Sequence, residues 1–222
     1  MDVYEAAKTR RSIRKYKENP LAWDDVAKVL DSGKYAPSAG NLQNFKFIVV
    51  LDQEKREKIS EACLQQYWMI KAPVHIVICS EPEKAERFYG VRGERLYSIQ
   101  NCAAAAENMV LAAHSLGLGT CWVGAFDEDM VKRILGIPAE ARPQIILTLG
   151  YPDEEPEEPI RHPLTSFLYV DQWRGFYTEL ELIFYNYGEH FRQRAKEAGK
   201  EIKRSGKEFA KKIKEKFGKK QF

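Results

Sequence analysis

The sequence has few of the features that mark secreted, metal-binding or membrane-spanning proteins. Its four cysteines, among 222 residues, lack C-x-x-C spacing, which argues against a disulfide framework and a structural zinc site. The first residues contain no apolar core, so no secretory signal is expected. The longest apolar runs have the length of a strand and not of a membrane span. We therefore expect a cytoplasmic protein without a metal site.

Common nucleotide-binding and hydrolytic motifs are also missing. The chain has no G-x-x-x-x-G-K-S/T, no H-E-x-x-H and no G-x-S-x-G. The glycines near Gly117 lack the third glycine of the dinucleotide fingerprint and follow a predicted helix instead of a strand. His75 and His114 fall inside a predicted strand and a predicted helix, so we interpret them as packed side chains and not as metal ligands.

Charge is distributed unevenly along the chain. Hydrophobic residues make up 44% of the sequence, enough for a core, and the net charge of +3 looks nearly neutral. Residues 188–222, however, carry 13 Lys or Arg against 5 Glu, while residues 1–187 carry 22 against 27 acids. The pattern predicts a mildly acidic globular body followed by a strongly basic tail.

Alternating helix and strand patterns predict an α+β fold, a small sheet wrapped by helices with one long central helix. Three nearly all-apolar runs predict strands buried on both faces, and a shorter run predicts a fourth; these are residues 45–51, 74–79, 144–149 and 120–123. Helices are predicted for residues 3–9, 23–32, 53–70, 96–116 and 127–135, the last with Asp127 as N-cap. Residues 82–93 are predicted to be irregular, and 152–163 to form a loop.

The segment Arg10-Arg-Ser-Ile-Arg14 places three guanidinium groups and a hydroxyl within five residues. Arginine matches phosphate oxygens bidentately, and a serine hydroxyl can donate a further bond. In an extended segment the side chains of Arg10, Ser12 and Arg14 point the same way. They could together bind one phosphate or one anionic ring edge. A solvated basic turn is the alternative.

Three further segments have a functional interpretation and a structural one. In residues 36–43, the amides of Asn41 and Gln43 could read the edge of a heterocycle, or the segment simply connects a helix to a strand. The glycines of residues 116–126 permit close approach to a flat ligand, or cap a helix before a strand. Arg161 is either neutralised by the preceding acids or directed at an anion.

In their order and spacing, these segments resemble the FMN-dependent nitroreductase family over about residues 1–175. The matching motifs are Arg10-Arg-Ser-Ile-Arg, Ala36-Pro-Ser-Ala-Gly-Asn-Leu-Gln-Asn-Phe, Ile70-Lys-Ala-Pro-Val, the helix over 103–119, Trp122-Val-Gly-Ala-Phe and Arg161-His-Pro-Leu. The resemblance implies an interlocked homodimer with one FMN in each of two interface clefts. Residues 1–175 would form the FMN-binding domain and 176–222 a helical extension.

The resemblance also implies which residues contact FMN. Arg10, Ser12 and Arg161 would hold the phosphate, and Arg14 would approach the N1/O2 side of the flavin. The partner chain would cover the ring with Pro37, Ser38, Ala39 and Asn41. Gln65 would lie near the pyrimidine edge, and Gly124 with its neighbours Trp122 and Val123 would offer backbone donors near N5. Arg11 and Gln43 are further predicted cofactor contacts. Some bacterial members carry Glu where this chain has Val123. Binding is expected to survive if that contact is made by the backbone.

The activity implied is hydride transfer from NAD(P)H through flavin N5 to a nitroaromatic or quinone, by a ping-pong mechanism. No catalytic side chain is required, and Arg14 would stabilise the negative charge of the reduced flavin. Aromatic rings and a guanidinium in residues 88–97 suggest a substrate wall formed by Tyr89, Arg92 and Tyr97. Core packing is the alternative for Tyr97. Rival functions are a non-catalytic flavin-binding module, or another flavin chemistry on the same fold, such as dehalogenation or flavin fragmentation.

The tail, residues 176–222, is predicted to be a basic amphipathic helix, and the resemblance does not cover it. Three uses remain open: packing on the body or the dimer partner, a solvated extension, or contact with an anionic membrane surface or nucleic acid. For the chain as a whole, we expect no nucleic-acid partner.

Overall fold

The computed structural model describes residues 1–175. The chain divides into two units, Met1–Pro159 and Ile160–Phe222, and residues 160–175 are the described part of the second. They include a short 3-10 helix, Leu164–Ser166. The predicted basic helix lies outside the described residues, and the predicted domain boundary at residue 175 stays a prediction.

The first unit contains six α-helices and four strands. The helices are α1 (Val3–Thr9), α2 (Trp23–Lys34), α3 (Gln53–Ala62), α4 (Pro82–Arg92), α5 (Ser98–Ser115) and α6 (Glu128–Leu135). The strands are β1 (Phe45–Val50), β2 (Val74–Ser80), β3 (Gly119–Val123) and β4 (Arg142–Gly150). Two 3-10 segments, Ala39–Asn41 and Tyr67–Lys71, and a π-helix, Gly93–Tyr97, complete it. All four predicted strands are confirmed, and so is the long central helix α5.

The strands form one antiparallel sheet in the order β1-β2-β4-β3. The segment after α1 runs along the free edge of β3. There Ser12 forms a parallel bridge with Thr120, and the Ile13 N–H donates to the Thr120 carbonyl at 2.9 Å. The sheet thus fixes the arginine-rich segment at its edge.

Both faces of the sheet are buried, as predicted from the apolar strands. Helices α2 and α5 cover one face, where Ile76 of β2 packs with Met109 of α5 in one cluster. Helices α3 and α6 cover the other, where Val77 packs with Ile59 and Val131. Ile76 and Val77 face opposite sides of the sheet, and each side is covered by a core. This explains why every residue of β2 is buried. All four cysteines are buried and unpaired.

Local capping explains where the helices begin. The side chains of Asp2, Asp52 and Asp127 each accept a hydrogen bond of 2.8 Å from a backbone N–H three residues later. Each therefore satisfies one of the N–H groups that a helix start leaves without a partner. The predicted N-cap role of Asp127 is confirmed.

The prediction of one helix over residues 53–70 is wrong in its second half. Helix α3 ends at Ala62, and Leu64 and Gln65 follow with φ of 57° and 60°. This left-handed conformation costs a non-glycine residue about 1–2 kcal/mol. The apolar spacing does not reveal the break, because neither residue is glycine or proline.

The prediction of an irregular segment over 82–93 is also wrong, since α4 spans most of it. Pro82 occupies the first turn, where its missing N–H costs nothing. Only Ala85 is buried, so the helix shows no apolar stripe in the sequence. The irregularity is concentrated at Gly90, with φ 59° and ψ −151°, and the π-helix follows.

We expect Arg56→Ala to destabilise the protein by about 2–3 kcal/mol, the range of one or two hydrogen bonds from a charged donor. The Arg56 guanidinium donates to the carbonyls of Ile70 at 2.7 Å and Ala72 at 2.6 Å. These bonds hold the 3-10 segment Tyr67–Lys71 in place after the break at Leu64. Urea unfolding measures the loss.

Arg87→Ala is the matched control. Arg87 is exposed on α4 and makes none of the hydrogen bonds or ion pairs found among residues 1–175. Its replacement should change the free energy of unfolding by less than about 0.5 kcal/mol. Equal losses in both variants would show that the carbonyl contacts of Arg56 do not stabilise the fold.

Candidate functional site

The arginine-rich segment leaves α1 in an extended conformation. Ile13 is buried beneath the segment and Ser12 is pinned to β3, so the polar side chains on either side of Ile13 are directed by the sheet edge. Tyr16 secures the segment from below, because its hydroxyl donates to the Ile13 carbonyl at 2.5 Å and contacts the Thr148 hydroxyl at 2.7 Å. Burial raises the pKa of Tyr16, which keeps this hydroxyl protonated.

Arg10, Arg11 and Ser12 line one cavity of about 210 Å³. Its other walls come from α5 and β3: Glu107, Val110, Thr120 and Trp122. Four of the sequence-predicted cofactor residues, including Trp122, are thus brought together. Arg14 is not among the lining residues, so the structure does not place Arg10, Ser12 and Arg14 around one group.

The guanidinium groups at this cavity are incompletely satisfied. The Nε atoms of Arg10 and Arg11 are buried without a hydrogen-bond partner. Arg10 Nε lies 3.5 Å from Glu107 Oε1, an ion pair without the geometry of a hydrogen bond. Arg11 Nη1 donates to two backbone carbonyls, those of Lys8 and Arg10. Unpaired arginine donors beside a serine hydroxyl fit the phosphate end of FMN.

A second cavity, of about 400 Å³, shares Arg10 and Arg11 and also contains His114 and Glu154. His114 Nε2 lies 2.8 Å from the Thr9 hydroxyl, which itself donates to the Glu5 carbonyl, so the histidine is the donor. Partial burial lowers the pKa of His114, and the charges of both arginines lower it further. The neutral form of His114 is therefore favoured beside the two arginines.

Arg14 takes a separate position. Its guanidinium carbon lies 5.8 Å from the centre of the Trp68 ring, and Trp68 packs against Ile13 and Tyr16. Its backbone N–H donates to Glu154 Oε1. Gln65, predicted at the pyrimidine edge of the flavin, precedes Trp68 by three residues and, like Leu64 before it, has a positive φ. Strain of this kind concentrates at functional sites, which makes the segment a candidate contact.

The turn predicted to cover the flavin ring is also conformationally unusual. Gly40, Asn41 and Gln43 all have φ between 47° and 56°. Gln43 Nε2 donates to Asn41 Oδ1 at 3.0 Å, and the Gln43 N–H donates to Ser38 Oγ at 3.0 Å, so the predicted amides hold each other in place. Pro37 is exposed beside the turn, and Ala39 is fixed by a bond from its N–H to Asn101.

Val123, at the end of β3, can offer a ligand only its backbone. The Val123 side chain is buried in the core cluster with Val131. Trp122, by contrast, is 42% exposed and lines the cavity with Arg10. The strand ends at Val123, which leaves Gly124 outside it.

The structure brings together the three residues predicted to form the substrate wall. Tyr89, Arg92 and Tyr97 form a cluster of their own on α4 and the π-helix, with the two tyrosine rings 5.3 Å apart at 81°. Arg161 belongs to the second unit, in the described residues 160–175. His75 is a packed histidine, as predicted. Residues 1–175 contain no cluster of His, Cys, Asp or Glu that could hold a metal ion, and none of their helices is long and apolar enough to cross a membrane.

Sequence reasoning missed Glu107, His114 and Thr120 as site residues. Glu107 was the most accessible of the three to prediction, because it is the sole acid in α5. His114 and Thr120 carry no such signal, since only the packing of α1 on α5 and of Ser12 on β3 brings them to the arginines.

Comparison with known proteins agrees with this fold. The model of the "Nitroreductase family" matches residues 7–151. A Methanothermobacter thermautotrophicus protein, whose name suggests an NADH dehydrogenase or NAD(P)H nitroreductase, is 41% identical over 162 residues, covering 70% of this chain and 80% of its own. An FMN reductase (NAD(P)H) from Bacillus subtilis is 28% identical, with 74% of each chain covered.

A solved structure is similar as well. The nitroreductase family protein from Clostridium novyi NT superposes with a TM-score of 0.64 at 30% identity, and the match covers 81% of this chain and 98% of that one. The predicted fold, a small antiparallel sheet wrapped by helices around α5, is therefore confirmed. The chain belongs to the nitroreductase family, a family of oxidoreductases.

Proposed function

We propose that the protein binds FMN and transfers a hydride from NAD(P)H to an electron-poor acceptor, a nitroaromatic or a quinone, by a ping-pong mechanism. The observation that carries this is the pair of buried, unpartnered Nε atoms of Arg10 and Arg11 in one cavity with Ser12 and Trp122. The Bacillus subtilis relative named as an FMN reductase supports the same cofactor. FMN, when bound, supplies the hydride-accepting and hydride-donating centre at N5.

The chain's own residues would bind and orient the cofactor. Arg10, Arg11 and Ser12 would hold the phosphate by charge-assisted hydrogen bonds. The same role for Arg161 stays a prediction from the resemblance. Arg14, whose guanidinium lies over Trp68, would stabilise negative charge on the N1/O2 side of the ring. Gln65 would lie near the pyrimidine edge of the ring, and Gly124 with its neighbours Trp122 and Val123 would lie near N5.

We propose that the site is completed by a second copy of the chain. The turn with Pro37, Ser38, Ala39, Asn41 and Gln43 would cover the ring bound by the partner. Its positive φ angles and internal hydrogen bonds give it one defined shape, as a ring cover requires.

The test is the absorption spectrum of the purified protein, followed by anaerobic titration with NADH and with NADPH. We expect bound flavin that at least one nicotinamide bleaches and that a nitroarene or quinone then reoxidises. A colourless protein that does not take up added FMN would contradict the proposal. Bound flavin that neither nicotinamide reduces would favour a non-catalytic flavin-binding module.

A further inference from the structure

The cluster of Tyr89, Arg92 and Tyr97, called here the tyrosine–arginine wall, lies against the turn at Ala39–Asn41. A Cβ atom built on Gly40 would lie 2.3 Å from the Tyr89 hydroxyl oxygen. Glycine at this position therefore allows the ring of Tyr89 to approach the turn. The proposed ring cover and the wall thus form one continuous surface of the same subunit.

A buried polar network joins the same two features a second time. Asn101 accepts from the Ala39 N–H at 3.0 Å and donates to Asn44 Oδ1 at 2.7 Å. Asn44 donates to the Ser98 hydroxyl, which donates to the Gly93 carbonyl, both at 3.0 Å. The three side chains are at most 4% exposed. Because buried networks with all partners present are rigid, the turn and the start of the π-helix hold a fixed relation.

Arg92 is a positioned cation on this surface. Its Nε donates to the Tyr97 hydroxyl at 3.1 Å, and its guanidinium carbon lies 5.6 Å from the centre of that ring. Within residues 1–175 it belongs to no ion pair, and its terminal amino groups make no hydrogen bond. Arg95, on the π-helix that follows Arg92, is instead 3.9 Å from Glu94. The charge of Arg92 is thus fixed by an aromatic ring and not neutralised by a carboxylate.

We propose that Arg92 is a specificity-determining residue, which binds the carboxylate of an aromatic acceptor whose ring contacts Tyr89 and Tyr97. The inference rests on the proposed function, because the turn that the wall contacts is the proposed cover of the flavin. An arginine fork beside the exposed ring of Tyr89 and the half-buried ring of Tyr97 matches a flat ring that bears a planar anionic group. A neutral aromatic of the same shape would lose the charged contact and keep the ring contact.

Benzoate and benzamide test this without turnover, since they have the same shape and differ in charge. Their dissociation constants are measured by calorimetry on the FMN-loaded protein, for the wild type and for Arg92→Ala and Arg95→Ala. We expect Arg92→Ala to weaken benzoate relative to benzamide by about tenfold, the low end for one charge-assisted hydrogen bond. Arg95→Ala should leave the ratio unchanged. Equal ratios in all three proteins would overturn the inference.

Kinetics with 4-nitrobenzoate and 4-nitrobenzamide then show whether Arg92 binds the carboxylate of the acceptor or the phosphates of the nucleotide. The kcat/KM ratio of the two acceptors should fall in Arg92→Ala by the same factor as the binding ratio. A raised KM for NADH or NADPH with an unchanged acceptor ratio would place Arg92 on the nucleotide phosphates and overturn the assignment. If the wild type reduces neither nitroarene, the proposed function itself is wrong and the inference falls with it. Turnover of both with an unaltered ratio in Arg92→Ala rejects the inference alone.

Discussion

Arg10→Ala should weaken FMN binding by about 10- to 150-fold, because it removes a charge-assisted contact of about 1.5–3 kcal/mol from the phosphate. The Nε atom of Arg10 is buried without a hydrogen-bond partner, and the residue lines the same cavity as Arg11 and Ser12. The variant also leaves Glu107 without its partner, so an uncompensated carboxylate would face the incoming phosphate. The FMN content after dialysis and the dissociation constant by fluorescence quenching measure the loss.

Two further variants separate these contributions. In Arg10→Ala combined with Glu107→Gln, the repulsion is absent, and we expect part of the affinity to return. Arg142→Ala is the matched control, because Arg142 is ion-paired with Glu128 at 2.8 Å and does not line the cavity. Wild-type flavin loading in Arg10→Ala would contradict the phosphate assignment. A loss of the same size in Arg142→Ala would indicate a general effect on folding.

The second large effect is the loss of stability in acid. As the pH drops from 6.5 to 4, we expect protonation of His75 to lower the free energy of unfolding by about 3 kcal/mol. The His75 Nε2–H donates to the Met69 carbonyl at 2.9 Å, and Nδ1 is buried without a partner. Burial lowers the pKa of His75 to about 4, and the nearby charge of Arg56 acts in the same direction. The unfolded chain takes up this proton near pH 6.5, so stability is complete above that pH and is lost below it.

His75→Gln tests this, because a glutamine amide can still donate to the Met69 carbonyl but does not titrate. Urea unfolding is followed from pH 7.5 to 4.5 in both proteins. The wild type should lose more stability than the variant across this range, even where the variant starts from a lower value. Parallel curves would show that His75 does not contribute to the acid sensitivity of the fold.

The strands could be predicted because their signal is local and strong. In β2, residues such as Ile76 and Val77 face two different cores, so most positions are apolar and the run predicts a buried strand. Helix α4 could not be predicted, since Ala85 alone is buried and the rest of its surface has no pattern. The break at Leu64–Gln65 could not be predicted for another reason. The segment after it is held by contacts that the local sequence pattern does not show, such as the hydrogen bond from Arg56 to the Ile70 carbonyl.

The candidate site shows the same division. Arg10, Ser12 and Arg14 are prominent in the sequence, but their shared direction in an extended strand suggested one common ligand group. In the structure, Arg10 and Ser12 line a cavity whose lining does not include Arg14, and Arg14 lies over Trp68. Such a separation depends on the packing of distant segments, which the local pattern does not contain.

The burial of all four cysteines has a chemical consequence for an enzyme proposed to handle quinones. Quinones alkylate thiolates, and the thiolate form must be populated and reachable for this to happen. Burial raises the pKa of Cys63 and Cys102 to about 12 and that of Cys79 to about 11. Near neutral pH the protein thus offers almost no thiolate to a quinone acceptor. Burial of the cysteines in the core therefore protects the enzyme from alkylation by its own substrates.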